Sequence, residues 1–126
     1  MQNKTRFEPV MGLPKLHTTP LADVHIEGSK APRVVVELDD VNEKRFRLVF
    51  ETYQAVRVTT ADCFWPVVPI TSQAVVEVIN SPWIAELTAV LKKSDHAATF
   101  MQKAKHFLIP AQDDFIEIVA WGVKQE

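Results

Sequence analysis

Apolar and polar residues alternate through most of this chain, and the longest alternation lies near its end. Lys105-His106-Phe107-Leu108-Ile109-Pro110 and Phe115-Ile116-Glu117-Ile118-Val119-Ala120-Trp121 flank the polar stretch Ala111-Gln112-Asp113-Asp114. Two apolar arms about a short polar turn predict a β-hairpin. Its register fixes which side chains share a face. A loop of two or four residues pairs Pro110 with Phe115 and His106 with Val119. His106, Glu117 and Trp121 then share one face, and Phe107, Ile109, Ile116 and Ile118 the other. A three-residue loop would reverse the parity, because side chains alternate with a period of two. The wholly apolar face is the expected core.

Weaker alternation marks strands upstream. Leu21–Gly28 alternates Asp23, His25 and Glu27 with Val24 and Ile26. Arg33–Leu38 is valine-rich. In Lys44–Glu51, Phe46, Leu48 and Phe50 face one side and Arg45, Arg47 and Glu51 the other, the pattern of a strand with one wet face. Gln54–Thr60 and Gln73–Ile79 read as further strands. Cys63–Pro69 is apolar but broken by Pro66 and Pro69, which suits a crossing loop.

The period changes once. Ser81 is a good helix N-cap, Pro82 sits at the first helical position, and Ile84, Leu87, Val90 and Leu91 follow at helical spacing. Lys92 and Lys93 close the last turn, where positive charge suits the helix dipole. This helix, about 82–93, is expected to lay its apolar stripe across the sheet. Residues 96–104 are ambiguous between loop and a short amphipathic turn through Ala97, Phe100, Met101 and Ala104.

Consecutive strands with short links pair antiparallel. The expected class is therefore α+β: a single curved antiparallel sheet of about six strands packed against one main helix, ending in the hairpin. Residues 1–20 hold Pro9, Pro14 and Pro20 and no period. They are expected to form an extended arm, partly packed through Phe7, Val10, Met11 and Leu16, or to be disordered. Residues 21–126 form the single α+β domain.

Composition narrows the function classes. The 126 residues suit one domain, and such a chain buries roughly two thirds of the surface its unfolded form exposes. The formal net charge is −2, so no global basic field argues for nucleic acid. Residues 1–33 carry five Lys or Arg against three acids, and residues 34–126 nine against thirteen, so the body is mildly acidic. One cysteine and no signal-like or membrane-length apolar run lead us to expect a cytoplasmic protein.

No motif fixes a chemistry. His17, His25, His96 and His106 have no partner at metal-ligand spacing, so no metal or cofactor is expected. Cys63 in Ala-Asp-Cys-Phe-Trp is expected to be a small buried thiol at a strand end. The row Arg45, Arg47 and Arg57, with Lys44, is offset by Glu37, Glu51 and Asp62, and reads as a mixed, solvated face. Asp39-Asp40 and Asp113-Asp114 have two readings. Turns favour Asp for its local backbone bonds. Alternatively Asp39, Asp40 and Glu43 on one loop, with Asp113 and Asp114 on another, make an acidic rim that steers a basic partner. The diagonal His106–Glu117 pair is within reach across two strands, either as an acid–base pair or as a satisfied pair.

The segments His106-Phe107-Leu108-Ile109 and Asp113-Asp114-Phe115-Ile116-Glu117-Ile118-Val119-Ala120 resemble the close of small bacterial immunity proteins, which neutralise toxins. Ser81-Pro82-Trp83-Ile84 and Phe46-Arg47-Leu48-Val49-Phe50-Glu51 add to this resemblance, which spans about residues 34–121. It implies a cytoplasmic binding module, not an enzyme, whose partner is a cognate toxin such as a nuclease domain. The expected partner-binding residues are Asp39, Asp40, Glu43, Trp65, His106, Asp113, Asp114, Glu117 and Trp121. Apolar anchors such as Trp65 or Trp121 would sit inside the charged rim. The alternative is a small-molecule-binding or enzymatic α+β barrel. Its pocket would be lined by Phe46, Phe50, Trp65 and Trp121, with His106 and Glu117 as polar groups.

Overall fold

The computed structural model describes residues 4–28, 31–64 and 73–126. Seven strands form one open antiparallel sheet: β1 (Arg6–Pro9), β2 (Asp23–Glu27), β3 (Arg33–Asp39), β4 (Arg45–Thr60), β5 (Val76–Ile79), β6 (Lys105–Pro110) and β7 (Asp114–Gln125). Their spatial order is β1-β5-β6-β7-β4-β3-β2, so β1 and β2 are the edges. One α-helix, α1 (Pro82–Ser94), links β5 to β6 through a short 3-10 turn at Phe100–Lys103. The α+β class and the hairpin are as expected. The number of strands is roughly as expected, and they are divided differently in two places. Lys44–Glu51 and Gln54–Thr60 are one strand, bent by a bulge where the register slips between Tyr53 and Ala55. The proline-rich start of the chain adds the edge strand β1, where Pro9 costs no ladder bond.

The hairpin pairs Pro110 with Phe115, His106 with Val119 and Phe107 with Ile118. Its inner face carries Phe107, Ile109, Ile116, Ile118 and Ala120 into a core with Val34, Val36, Leu38, Phe46, Leu48 and Phe50. Phe50 lies opposite Val123, and Phe107 opposite Ile118, on the shared strand β7. A flat sheet would separate these two phenylalanines by about 16 Å along that strand alone, at roughly 3.3 Å per residue. Their ring centroids are 5.3 Å apart. The sheet therefore coils strongly and wraps its inner face around the core, while its edges stay apart.

Helix α1 does not supply the cover that its stripe suggested. None of its residues is buried, and Val90 is among the exposed large hydrophobics. It touches β6, and Ile84, Leu87 and Leu91 of its stripe are only half-buried. The cover comes from the arm instead. Leu16 is fully buried in the core, with Val10 and Leu13 packed beside it. Backbone bonds stitch the arm down on both sides. Val10 N donates to Val75 O at 2.9 Å, Leu16 N to Gln73 O at 2.8 Å, and His17 N to Asp39 O at 3.0 Å. Met11, expected to pack, is 88% exposed.

Cys63 is exposed in a 3-10 turn (Ala61–Cys63) after β4, not buried as a strand-end thiol, because the chain leaves the sheet there. Residues 65–69 of the expected crossing loop, Trp65 included, lie outside the described residues, as do Ser29 and Lys30 of the loop before β3. Among the described residues no helix is long and apolar enough to cross a membrane.

Leu16 thus acts as a core residue from within an apparent tail. Leu16→Ala should cost about 2–5 kcal/mol of stability, the usual toll of a buried leucine cavity. Met11→Ala should leave stability within about 0.5 kcal/mol, as exposed positions do. Urea unfolding of the two variants checks this. Equal midpoints would mean that the arm does not close the core.

Candidate functional site

Polar chemistry gathers at two places. The first is beneath the start of α1, on the outer face of β6, β7 and β4. The register sets His106 beside Val119, Leu108 opposite Glu117, and Arg57 opposite Glu117 from the other side. The four-residue hairpin loop thus puts His106 and Glu117 on one face. His106 Nε2 donates to Glu117 Oε2 at 2.7 Å. Arg57 grips the same carboxylate with two donors, Nε to Oε1 at 2.7 Å and Nη2 to Oε2 at 3.1 Å. On the far side of the imidazole, Ser81 Oγ lies 2.7 Å from His106 Nδ1 and accepts from Ile84 N at 3.1 Å. Trp83 covers the group, its ring edge-on to His106 at 5.2 Å and its face 4.0 Å from the Arg57 guanidinium.

An ionised Glu117 can only accept, so a ring proton sits on Nε2 facing it; in the neutral imidazole Nδ1 is then an acceptor and takes the Ser81 hydroxyl hydrogen. Every member of the relay is then satisfied, as a buried polar network must be. His106 is 4% exposed and Glu117 3%. Burial by itself would raise the Glu117 pKa. The hydrogen bonds from His106 and Arg57, with their charge, outweigh it and hold the carboxyl below the ordinary glutamate value.

A serine, a histidine and a carboxylate in line invite a nucleophilic reading, and the local geometry opposes it. Ser81 Oγ is committed as the N-cap of α1. The following residue, Pro82, has no N–H to offer a developing oxyanion. The relay instead bolts the helix start to the sheet.

The second place is the tip of the hairpin. Gln112 N donates to Pro20 O at 2.9 Å, which draws the end of the arm onto the hairpin turn. A cleft of about 510 Å³ opens there, lined by Leu21, Asp23, Asp39, Arg45, Asp113 and Asp114 among others. It holds four carboxylates and one cation. Arg45 bonds Asp39 at 3.1 Å, the carbonyl of Leu21 at 2.6 Å, and Asp23. Asp113 and Asp114 have no ion-pair partner among the described residues. Leu21 and Asp113 stand exposed at the rim.

The expected site residues therefore separate. Asp39, Asp113 and Asp114 converge on the cleft. Asp40 serves its turn, its Oδ1 accepting from Asn42 N at 2.8 Å and Lys44 N at 3.0 Å. Glu43 stands exposed on that turn in a left-handed conformation, 3.6 Å from His17. His106 and Glu117 are turned to each other under Trp83 and offer a partner no surface. Trp121 is 36% exposed with Lys103 over its ring at 4.9 Å, away from the core that holds Phe46 and Phe50. Trp65 lies outside the described residues. Among the described residues Trp121 therefore does not join Phe46 and Phe50 in one aromatic lining, and the sheet is open. Sequence reading missed Asp23, Leu21 and Arg45 at the cleft, and Ser81, Trp83 and Arg57 in the relay. Among the described residues no three His, Cys, Asp or Glu side chains converge to hold a metal ion.

Comparison with protein-family models, with curated proteins and with solved structures finds no match.

The relay makes a pH prediction. Folding lowers the Glu117 pKa, so on acidification the unfolded chain takes up this proton first. The stabilisation is complete well above the ordinary value of 4.5 and is lost as pH falls below it. Glu117→Gln should cost about 1.5–3 kcal/mol at neutral pH, the range for hydrogen bonds to charged groups. The gap to wild type should narrow below about pH 4.5. Denaturant midpoints across pH report it. Parallel curves for the two proteins would exclude an ionised, bonded Glu117.

Proposed function

We propose that this chain is a protein-binding module that captures a basic protein partner, and that the partner is a toxin domain neutralised in the bacterial cytoplasm. The observation that supports the reading is the convergence at the hairpin tip. Two acidic turns far apart in sequence meet the start of β2 around one cleft, where Asp23, Asp39, Asp113 and Asp114 outnumber the single cation Arg45. Such a surplus attracts basic surfaces at long range and fixes their orientation on arrival. Leu21 gives the rim an exposed apolar contact. The resemblance of the hairpin and mid-chain strand to immunity proteins makes a toxin the concrete partner, and a nuclease has the basic substrate cleft that such a surface fits. The relay's polar groups bind one another, which leaves the acidic tip as the working surface in this reading.

Co-expression with the product of the neighbouring reading frame, followed by affinity capture, tests it. Capture should occur at low salt and weaken steeply as salt screens the rim. Asp113→Asn with Asp114→Asn should weaken binding about fivefold, the equivalent of roughly 1 kcal/mol at exposed charges. No captured basic protein, or capture indifferent to salt and to both substitutions, would overturn the proposal.

A further inference from the structure

The structure assigns a docking mode: the free edge of β2 receives an extended segment of the basic partner, with Lys or Arg four positions apart and apolar residues flanking the position midway between them. This rests on the reading of the chain as a binder of a basic protein.

The two edges of the sheet differ. β1 is four residues long, ends in Pro9, and carries the Arg6–Glu8 ion pair. Short length, proline and charge are the usual guards against strand addition. β2 has five residues in unbroken register with β3 and no proline. No described residue pairs with its outer side. Its row of outward backbone groups is thus a template for a further strand.

Both faces of β2 say what that strand should carry. Asp23, His25 and Glu27 point to the outer face of the sheet and are exposed. Behind them the outer face is a lattice of ion pairs. Arg33 meets Glu27 and Glu126, Arg45 meets Asp23 and Asp39, and Arg47 meets Glu37 and Glu126. This lattice ends, at the edge, on two carboxylates four residues apart. Cations opposite Asp23 and Glu27 would continue it, since directly opposed unlike charges stabilise a strand pair. On the inner face Val24 packs against the core and Ile26 is left 59% exposed. Apolar side chains opposite these two would extend the core by one strand. Asp23 also lines the acidic cleft, so a basic flank of the docked segment runs on toward Asp113 and Asp114.

A second copy of this chain fits the edge poorly. Full antiparallel pairing of β2 with itself centres on His25 and sets Asp23 against the other copy's Glu27, like charge on like.

The test is a titration of the ¹⁵N-labelled full chain with the capped peptide Lys-Val-Thr-Val-Lys, followed by amide NMR. Shifts should concentrate on Asp23–Glu27, and amide exchange there should slow. The same peptide with Glu for both Lys should bind at least tenfold more weakly. Methylation of every backbone nitrogen should abolish binding. Ile26→Lys places a cation at the exposed apolar position without touching the ladder to β3, and should remove the shifts. Glu27→Gln should weaken them while the fold is retained. Four results overturn the assignment. Shifts confined to the Asp113–Asp114 turn and indifferent to N-methylation would place docking at the cleft alone, and the proposed function would survive. Equal binding of the Glu peptide would remove the charge selection. A concentration-dependent dimer abolished by Ile26→Lys would make the occupant a second copy. No binding of this peptide, with a basic partner still captured in co-expression, would sink the edge and spare the reading above.

Discussion

The fold answers one constraint: a single sheet must hide its apolar face, and helix α1 does not hide it. An exposed inner face would leave Val34, Val36, Phe50, Phe107, Ile109 and Ile118 in water, at about 1.5–3 kcal/mol for each large side chain. The sheet removes that cost by coiling until β4 and β6 touch across β7, with Phe50 and Phe107 at the seam. The bulge near Gln54 lets the long β4 take this curvature. The gap that remains is filled by Leu16 and its neighbours from the arm. Coil, bulge and arm are three parts of one solution.

The outer face then divides by chemistry. Over β2, β3 and β4 it is laced with ion pairs around the buried Val35 and Val49. Over β5, β6 and β7 it is drier. Val76, Val78 and Leu108 cluster with Phe7, Phe64 and Phe115, and the buried relay lies next to them. A carboxylate in such a place needs compensation, because charge leaves water at a cost of several kcal/mol. Glu117 receives it from Arg57 and His106. The relay has a geometric consequence too. By joining the N-cap of α1 to two strands, it fixes the angle at which the helix leaves the sheet, although no helix residue is buried.

Much of this was legible in the sequence wherever period and local chemistry govern. The hairpin register followed from loop length and parity. The start of α1 followed from Ser81 and Pro82, and the inner face of β4 from Phe46, Leu48 and Phe50. What escaped depended on contacts distant in sequence. The stripe of α1 has the spacing of a buried face, yet periodicity cannot say whether a sheet is already covered. Leu16 reads as one of four apolar residues that pack the arm, but no period says that it, and not Met11, enters the core. Ser81 reads as a cap, and its second bond, to His106 twenty-five residues on, has no local signal. The acids were legible as pairs, but two strands separate β2 from β7 in the sheet order, and Asp23 joins Asp113 and Asp114 only because the coiled sheet and the bond from Gln112 N to Pro20 O bring the start of β2 to the hairpin tip.

That last juxtaposition carries the functional argument further than any single residue does. Acidic turns are common for local reasons, and Asp40 is an instance, spent on its own backbone. Asp39 and Asp23 are tied to Arg45. The surplus at the cleft therefore comes from Asp113 and Asp114, held out at the tip by Ala111 N bonding Asp114 O and Ala61 N bonding Asp113 O, both at 2.9 Å. These bonds use backbone carbonyls and leave the carboxylates to solvent. The guanidiniums of Arg45, Arg47 and Arg57 are, by contrast, each set against a carboxylate. The charge left over at this end of the molecule is thus that of its carboxylates, and the proposed capture of a basic partner rests on that surplus.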